Sequence, residues 1–372
     1  MKNSKYLIRD LLNEAGITLN GNKPYDIKVH NEKFYDRVLK DHALGLGESY
    51  MDGWWDAEAL DQMFHRILKA RLPEKVKKSK ALKWHLFKAK LYNLQSPGRA
   101  SQVSQQHYDL GNDFYEAMLD KRMNYTCAYW RNAENLDEAQ EAKLDLVCKK
   151  LELEPGMTVL ELGCGWGSFA QYAAEKYDAN VTAVNISDEQ VKTARQRCRD
   201  LPVKVIHGDY RQTDGQYDRV VSIGLMEHVG FKNYRNYMRL TRERLKDDHG
   251  IAFIHTIGGN YSTTIGNKWT NKYIFPNGML PSIAQLGHAM EKQFVMEDWH
   301  NIGPHYDTTL MAWYNNFEKA WPQFRERYGD RFYRMWRYYL LSSAGGFRAR
   351  DTQLWQIVLT PHGRKQPNCR IS

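Results

Sequence analysis

Residues 159–169 read VLELGCGWGSF, and this stretch limits the fold more than any other. Val159, Leu160 and Leu162 form an apolar run, after which Gly163, Gly165 and Gly167 stand at alternate positions before helix-forming sequence resumes. The pattern predicts a buried strand, a sharp turn and a helix. Glycine has no Cβ, so such a turn lets a ligand lie close over the backbone. The spacing G-x-G-x-G is not the dinucleotide pattern G-x-G-x-x-G, and the Lys-Ser/Thr that closes a phosphate-binding P-loop does not follow. Glu161 adds a carboxylate beside the turn, which repels pyrophosphate and attracts a sulfonium or ammonium group. The expected guest is S-adenosylmethionine; the bland alternative is a tight connection with no ligand.

Downstream, strands and helices alternate. TVLEL (158–162) leads to a helix over 167–177, VTAVNI (181–186) to 188–199, and VKVIHGD (203–209) to YDRVVSIG (217–224). A helix over 233–246 then precedes GIAFIHTIG, and TQLWQIVL is the final strand. Alternation of this kind predicts an α/β fold with a mostly parallel sheet, helices on both faces and a ligand beyond the C-terminal strand ends. DTTLMAWYNNFEKAW sets Leu310, Trp313, Tyr314 and Phe317 on one helical face, and Pro322 is expected to end that helix. FYRMWRYYLLSSAGGF sets Phe332, Met335, Trp336, Tyr339 and Ser343 on another.

The N-terminal part reads differently. A helix over 5–15 ending at Gly16, a short strand at YDIKVHN (25–31) and helices over 34–40 and 57–70 describe a small, mainly helical unit. Between them, GLGESYMDGWW (45–55) reads as a turn packing Trp54 and Trp55 into a small core. From Arg66 to Lys90 ten Lys or Arg residues stand against the single acid Glu74, with Trp84, Leu86 and Phe87 interleaved. That mixture suits a solvated helix face or the headgroup layer of a bilayer equally well. NLQSPGRASQ (93–102) has linker composition, which divides the chain into an N-terminal domain over 1–92, a linker over 93–104 and a catalytic domain over 105–372.

A net charge of +9 implies an acidic partner, either nucleic acid or an anionic membrane. With 13% aromatic residues the chain has material to line a large apolar cavity. Five scattered cysteines lack C-x-x-C spacing, so neither a disulfide framework nor a metal site is expected, and a reducing compartment fits best. No segment has the length of a membrane span, so a cytoplasmic protein is expected.

The motifs QQHYDLGNDFY, NYTCAYW, LELGCGWGSFA, MEHVG, HTIG, NKYIFPNG, EDWHNIGPHYDTTLMAWY and GGFRARDTQLWQ run in order through almost the whole chain, with LGLGESYMDGWW ahead of them. On these the sequence resembles the bacterial cyclopropane-fatty-acyl-phospholipid synthases and, more distantly, the mycolic acid cyclopropane synthases, class I S-adenosylmethionine-dependent methyltransferases with a Rossmann-like domain and a seven-stranded sheet. The resemblance implies transfer of a methylene group from S-adenosylmethionine to the cis double bond of an unsaturated phospholipid acyl chain. It also implies bound bicarbonate as the base, with Cys127, Glu227, His255, the backbone of Ile257 and Tyr314 around it. Tyr125, Thr126, Glu161, Gly163, Gly165, Gly167, Asn185, Ser187, Gln190, Asp209 and Tyr210 match the positions that surround the cofactor. Many methyltransferases end the second strand with an acid for the ribose hydroxyls; Asn185 stands there, which shifts that duty to other residues. Relatives often carry a cysteine before GxFRARD, where this chain has Ser343, so a covalent cysteine route at that position is closed.

The chemistry matches the composition. An alkene is a poor nucleophile that must be held in line with the methyl group. The carbocation it becomes requires a dry cavity whose aromatic faces stabilise positive charge. The expected partners are unsaturated phospholipids at the inner face of the plasma membrane, reached by peripheral docking of the N-terminal domain, with a homodimer and no nucleic acid. Two other readings compete: a methyltransferase acting on another lipid, a small molecule or RNA, and a catalytically silent lipid-binding scaffold. The absence of an Asn-Pro-Pro-Tyr motif counts against base chemistry, and the complete set of bicarbonate positions counts against the scaffold.

Overall fold

The computed structural model describes residues 2–78 and 110–371. The 93–104 linker and most of the basic segment, from residue 79 onward, lie outside the described residues. By packing, the chain forms two units: Met1–Met118 with Gly266–Asn277 and Leu310–Asp351, and Leu119–Ile265 with Gly278–Thr309 and Thr352–Ser372. The helical segment Leu310–Asp351 packs with the N-terminal residues although it lies far along the chain.

The first unit is mainly helical, as the sequence suggests. Helix Lys2–Glu14 is followed by Gly16 at a positive φ of 67°. The strand expected over 25–31 shrinks to β1, Lys28–Val29, paired antiparallel with β2, Trp55–Asp56. The turn expected over 45–55 is largely helix instead. Helix Lys33–Met51 passes a kink at His42 and continues through both glycines. Those glycines serve close packing rather than chain reversal: a Cβ on Gly47 would stand 2.3 Å from the Trp269 ring, and one on Gly45 would stand 2.3 Å from the Arg37 carbonyl. Trp55 is buried as expected, its indole N–H donating to the Leu46 carbonyl at 3.1 Å.

Pro322 does not end its helix. Gly303–Arg348 is helical throughout except at Gly329, where φ is 74° and the chain reverses. A proline φ is helical, and only one backbone bond is forfeited. The aromatic residues around it compensate: Trp321 stacks on Phe332 at 6.1 Å and Phe317 on Tyr333 at 5.7 Å, joining the two arms into a hairpin. Phe114 sits among Phe317, Phe324, Tyr328, Phe332 and Trp336 with ring centroids 5.1–6.1 Å away. Much of the aromatic content thus forms this unit's core.

The second unit holds a seven-stranded sheet: β3 (Thr158–Leu162), β4 (Asn180–Asn185), β5 (Val203–His207), β6 (Arg219–Ile223), β7 (Ile251–Gly259), β8 (Val295–Asn301) and β9 (Thr352–Thr360). The order is β5-β4-β3-β6-β7-β9-β8, with β9 antiparallel to both its neighbours and the rest parallel. Strand order reverses between β3 and β6, so the loops after these two strands open the crevice where ligands of such sheets bind.

Candidate active site

The turn after β3 is built as its glycines require. Gly163, Gly165 and Gly167 have φ of 80°, 54° and 83°. A Cβ on Gly167 would stand 3.0 Å from that of Ala194, so this glycine also lets helix Ser168–Tyr177 approach helix Asp188–Arg197. The amides of Gly163 and Cys164 both donate to the Val184 carbonyl, at 2.9 and 3.1 Å. Asn185 joins this turn to the next, its side-chain amide donating to the Gly165 carbonyl at 3.2 Å and to Gln190 Oε1 at 2.8 Å. Both contacts position loops. Ser187 is the N-terminal cap position of helix Asp188–Arg197. Asp209 is held by Arg211, whose hydrogen bonds lower its pKa, and Tyr210 packs on the Tyr237 ring at 5.7 Å.

Glu161 lies differently from a carboxylate exposed beside the turn. It is buried, and it accepts a backbone hydrogen bond from Ala170 in the first turn of helix Ser168–Tyr177, whose cap residue Gly167 offers no side chain. Burial pushes its pKa up to about 8. Among the described residues its Oε2 has no hydrogen-bond partner, which leaves an acceptor under the glycine turn.

The loop after β6 carries the second constellation. Glu227 is buried in the short helix Met226–Val229 and accepts from the Ile257 amide at Oε1, 2.7 Å away. Burial pushes its pKa up to about 7 against the pull of that amide. The Ile257 N–H, expected to face bicarbonate directly, is therefore engaged by Glu227, because a buried carboxyl needs a donor. The Glu227 carbonyl accepts from Met279 N at 2.8 Å, which fixes the loop from behind.

His255 lies two residues before Ile257 on β7, in register with Ile223 on one side and Gln356 on the other. It is 1% exposed, and among the described residues neither ring nitrogen has a hydrogen-bond partner. Burial, reinforced by Lys143 and Lys150, holds its pKa well below the usual value and so keeps the ring neutral. Glu227 Oε2 is likewise without a partner among the described residues. Buried polar atoms in native proteins are almost always satisfied, so these mark a place for a polar guest. Their donor and acceptor capacities fit a small oxyanion or a water.

The segment Asn124–Cys127 borders the same crevice. Thr126 approaches Gly224 so closely that a Cβ there would stand 3.0 Å from Thr126 Cγ2. Cys127 is fully buried, its thiol pushed up by desolvation and directed to the Ala128 carbonyl at 3.2 Å, which makes it a neutral group. Tyr125 beside it is half-buried. Tyr314 belongs to the first unit, where its phenol accepts from Arg337 at 3.3 Å. The structure thus brings Glu227 and Ile257 into contact and sets His255 on the same strand, with the glycine turn and Asn185 forming a second, adjoining group.

Sequence reasoning missed Lys143 and Gln356. Both are buried polar side chains. Gln356 lies opposite His255, and its amide has no partner among the described residues.

The profile of the mycolic acid cyclopropane synthetase family matches residues 95–357. The chain belongs to this family. Within it, the chain is 51% identical over 354 residues to the cyclopropane-fatty-acyl-phospholipid synthase of Escherichia coli (strain K12), covering 95% of this chain and 92% of that protein. It is 34% identical to cyclopropane mycolic acid synthase 2 of Mycobacterium leprae, over 69% of this chain and 93% of that one. Among solved structures, the mycolic acid cyclopropane synthase CmaA1 complexed with SAH and CTAB superposes with a TM-score of 0.64 at 33% identity, covering 69% of this chain and 97% of that chain. Membership of the family makes the chain an S-adenosylmethionine-dependent methyltransferase.

Proposed function

We propose that the chain transfers a methylene group from S-adenosylmethionine to the cis double bond of an unsaturated phospholipid acyl chain and closes a cyclopropane ring. The observation that carries this reading is the pair of unsatisfied buried groups, Glu227 Oε2 and the His255 ring, on the loop after β6 and on β7. An alkene methylation must end in loss of a proton from the new methyl group, and such a pair suits a place where protons are held away from water. The relative at 51% identity, a cyclopropane-fatty-acyl-phospholipid synthase, supports the substrate class.

S-adenosylmethionine, when bound, supplies an electrophilic methyl group on sulfur. The glycine turn, Asn185 with Gln190, Asp209 and Tyr210, and the Tyr125–Thr126 pair would hold it. Bicarbonate fits the donors around Glu227 and would supply the base; the resemblance assigns Cys127, His255 and Tyr314 to it as well. In this reading Glu227 carries a proton at Oε2, because an ionised carboxylate would repel the neighbouring anion. The Ile257 amide fixes Glu227, the neutral His255 ring donates one N–H, and the un-ionised Cys127 thiol fills space without competing as a nucleophile.

The test is incubation with vesicles of unsaturated phospholipid and labelled S-adenosylmethionine, followed by mass spectrometry of the acyl chains. A gain of one CH2 unit in a chain that then resists ozonolysis is expected. A gain that remains ozone-cleavable would indicate a methylene branch instead, and unmodified lipid would remove the reading.

The same reading makes the basic segment the docking surface for anionic bilayers. No helix among the described residues is long and apolar enough to cross a membrane, so a phospholipid substrate has to be met at its surface. Each lysine near an anionic surface contributes about 1 kcal/mol, screened by salt. Lys75 is described and pairs with Glu14, while Lys80 lies outside the described residues. Replacing Lys75, Lys77, Lys78 and Lys80 by Gln is expected to lower flotation with anionic vesicles. Flotation equal to that of the parent, at low salt, would rule this surface out.

A further inference from the structure

Lys143 is a lysine with no exposed surface. It lies on helix Leu136–Lys150 and presents its ammonium to the segment that borders the crevice. Nζ donates to Asn124 Oδ1 at 3.1 Å and to Thr126 Oγ1 at 2.9 Å. One helical turn earlier, Gln140 Nε2 donates to the Thr126 carbonyl at 2.8 Å. Asn124 is clamped from the other side by Asp120, which accepts from its backbone amide at 2.7 Å and its side-chain amide at 2.8 Å.

This arrangement is costly unless it serves something. A buried ammonium loses its hydration, and an apolar side chain of similar volume would fill the space without that loss. What the ammonium provides is directional. It donates and never accepts, so the Thr126 oxygen is occupied as an acceptor and the Thr126 hydroxyl proton is left for a partner elsewhere. It also places a positive charge near Glu161, Cys127 and His255, the groups on which its field is felt.

We propose that Lys143 is a positioning residue for the cofactor: through Asn124 and Thr126 it holds the Asn124–Cys127 segment in place beside Gly224, at the crevice that the glycine turn also borders. The inference rests on the reading that S-adenosylmethionine lies over that turn. Other groups facing the ammonium are Asp120 and the Cys127 thiol.

The experiment uses the full chain with three variants, Lys143→Met, Asp120→Asn and the two combined, and measures melting temperature, S-adenosylmethionine affinity by calorimetry, and both Michaelis constants. Lys143→Met alone removes the ammonium whose charge the buried Asp120 feels and leaves it only its hydrogen bonds from Asn124 and Arg122, so it is expected to melt lower. Neutralising Asp120 as well should restore much of the melting temperature, because the buried negative charge leaves with the positive one. Cofactor affinity should nonetheless stay reduced by about tenfold or more in the double variant, and the KM for lipid should move by less than about threefold, since misplacing a binding segment penalises the ligand it positions. A double variant that melts like the parent and binds S-adenosylmethionine within about threefold of it would overturn the proposal. If Lys143→Met alone does not fold, the double variant carries the same test. Parent protein that binds S-adenosylmethionine yet leaves lipid unmodified would count against the function proposed above and leave this inference standing.

Discussion

Glu227→Gln should lose about a hundredfold or more in turnover, the range over which a positioned proton-transfer group contributes. Binding of S-adenosylmethionine should hardly change, because Glu227 sits on the loop after β6 and the glycine turn follows β3. Glutamine is nearly isosteric and its oxygen still accepts from the Ile257 amide, so the loop keeps its shape. The substitution should also stabilise the fold at alkaline pH. The Glu227 carboxyl has its folded pKa raised to about 7 from 4.5, so the folded state retains a proton that the unfolded chain releases. Below about pH 4.5 both states are protonated and the group costs nothing; the cost grows as pH rises and is complete above about 7. Converted at 1.36 kcal/mol per unit, the full cost is on the order of 3 kcal/mol, which glutamine would relieve. Melting curves at pH 5 and pH 8.5, with calorimetry for the cofactor, check this. A variant with lowered cofactor affinity would place Glu227 in the cofactor site, and one equally stable to its parent at pH 8.5 would show that the carboxyl ionises without penalty.

Much of the sheet was legible because its strands obey simple patterns. TVLEL and GIAFIHTIG are apolar runs bounded by glycine, as buried parallel strands tend to be, and both appear within a residue or two of the expected limits. β8 escaped for a physical reason. In VMEDWHN the buried position is Asp298, which pairs with the buried Lys150 at 3.1 Å, while Val295 and Met296 face outward, so the polarity pattern is inverted. Lys143 escaped in the same way, as a charge inside the apolar stripe of a helix that also buries Leu144, Val147 and Lys150. A charged residue at a core position of an amphipathic helix is the signal that could have found it. Pro322 and the glycines at 45 and 47 misled because local propensity was overridden by packing: ring stacking carries the helix past the proline, and close approach of Trp269 accounts for Gly47.

The two site groups differ in how they are held, and this bears on which changes they tolerate. The proposed cofactor side is fixed by positive φ at three glycines and by side-chain bonds between loops, such as Asn185 to Gly165. The side proposed to handle protons is fixed by the end of one central strand. β7 supplies the His255 ring and the Ile257 amide within three residues, and β9 pairs with it along its length. A displacement of that strand end would therefore move the Glu227 anchor without touching the glycine turn.

Gly258→Ala makes that displacement. Gly258 follows Ile257 and lies under the Trp355 ring: a Cβ there would stand 2.0 Å from Cζ3, 2.2 Å from Cη2 and 2.4 Å from Cε3. Trp355 is 2% exposed and packs edge-on against Trp299 at 5.3 Å, so the ring has little room to withdraw. Overpacking of this kind costs about 1–3 kcal/mol and sometimes more. Either the indole is forced off its rotamer or the end of β7 shifts, and the second path carries the Ile257 amide away from Glu227. The expected result is a melting temperature lowered by several degrees and turnover reduced at least about tenfold, with cofactor affinity closer to that of the parent. Gly287→Ala is the control, since Gly287 is exposed on helix Ile283–Met290 and a Cβ there meets nothing within 4 Å. It should be neutral or add up to about 1 kcal/mol by the usual alanine preference in helices. Gly258→Ala protein that melts and turns over like its Gly287→Ala counterpart would mean that Trp355 yields freely and that the strand end is not what holds Glu227 in place.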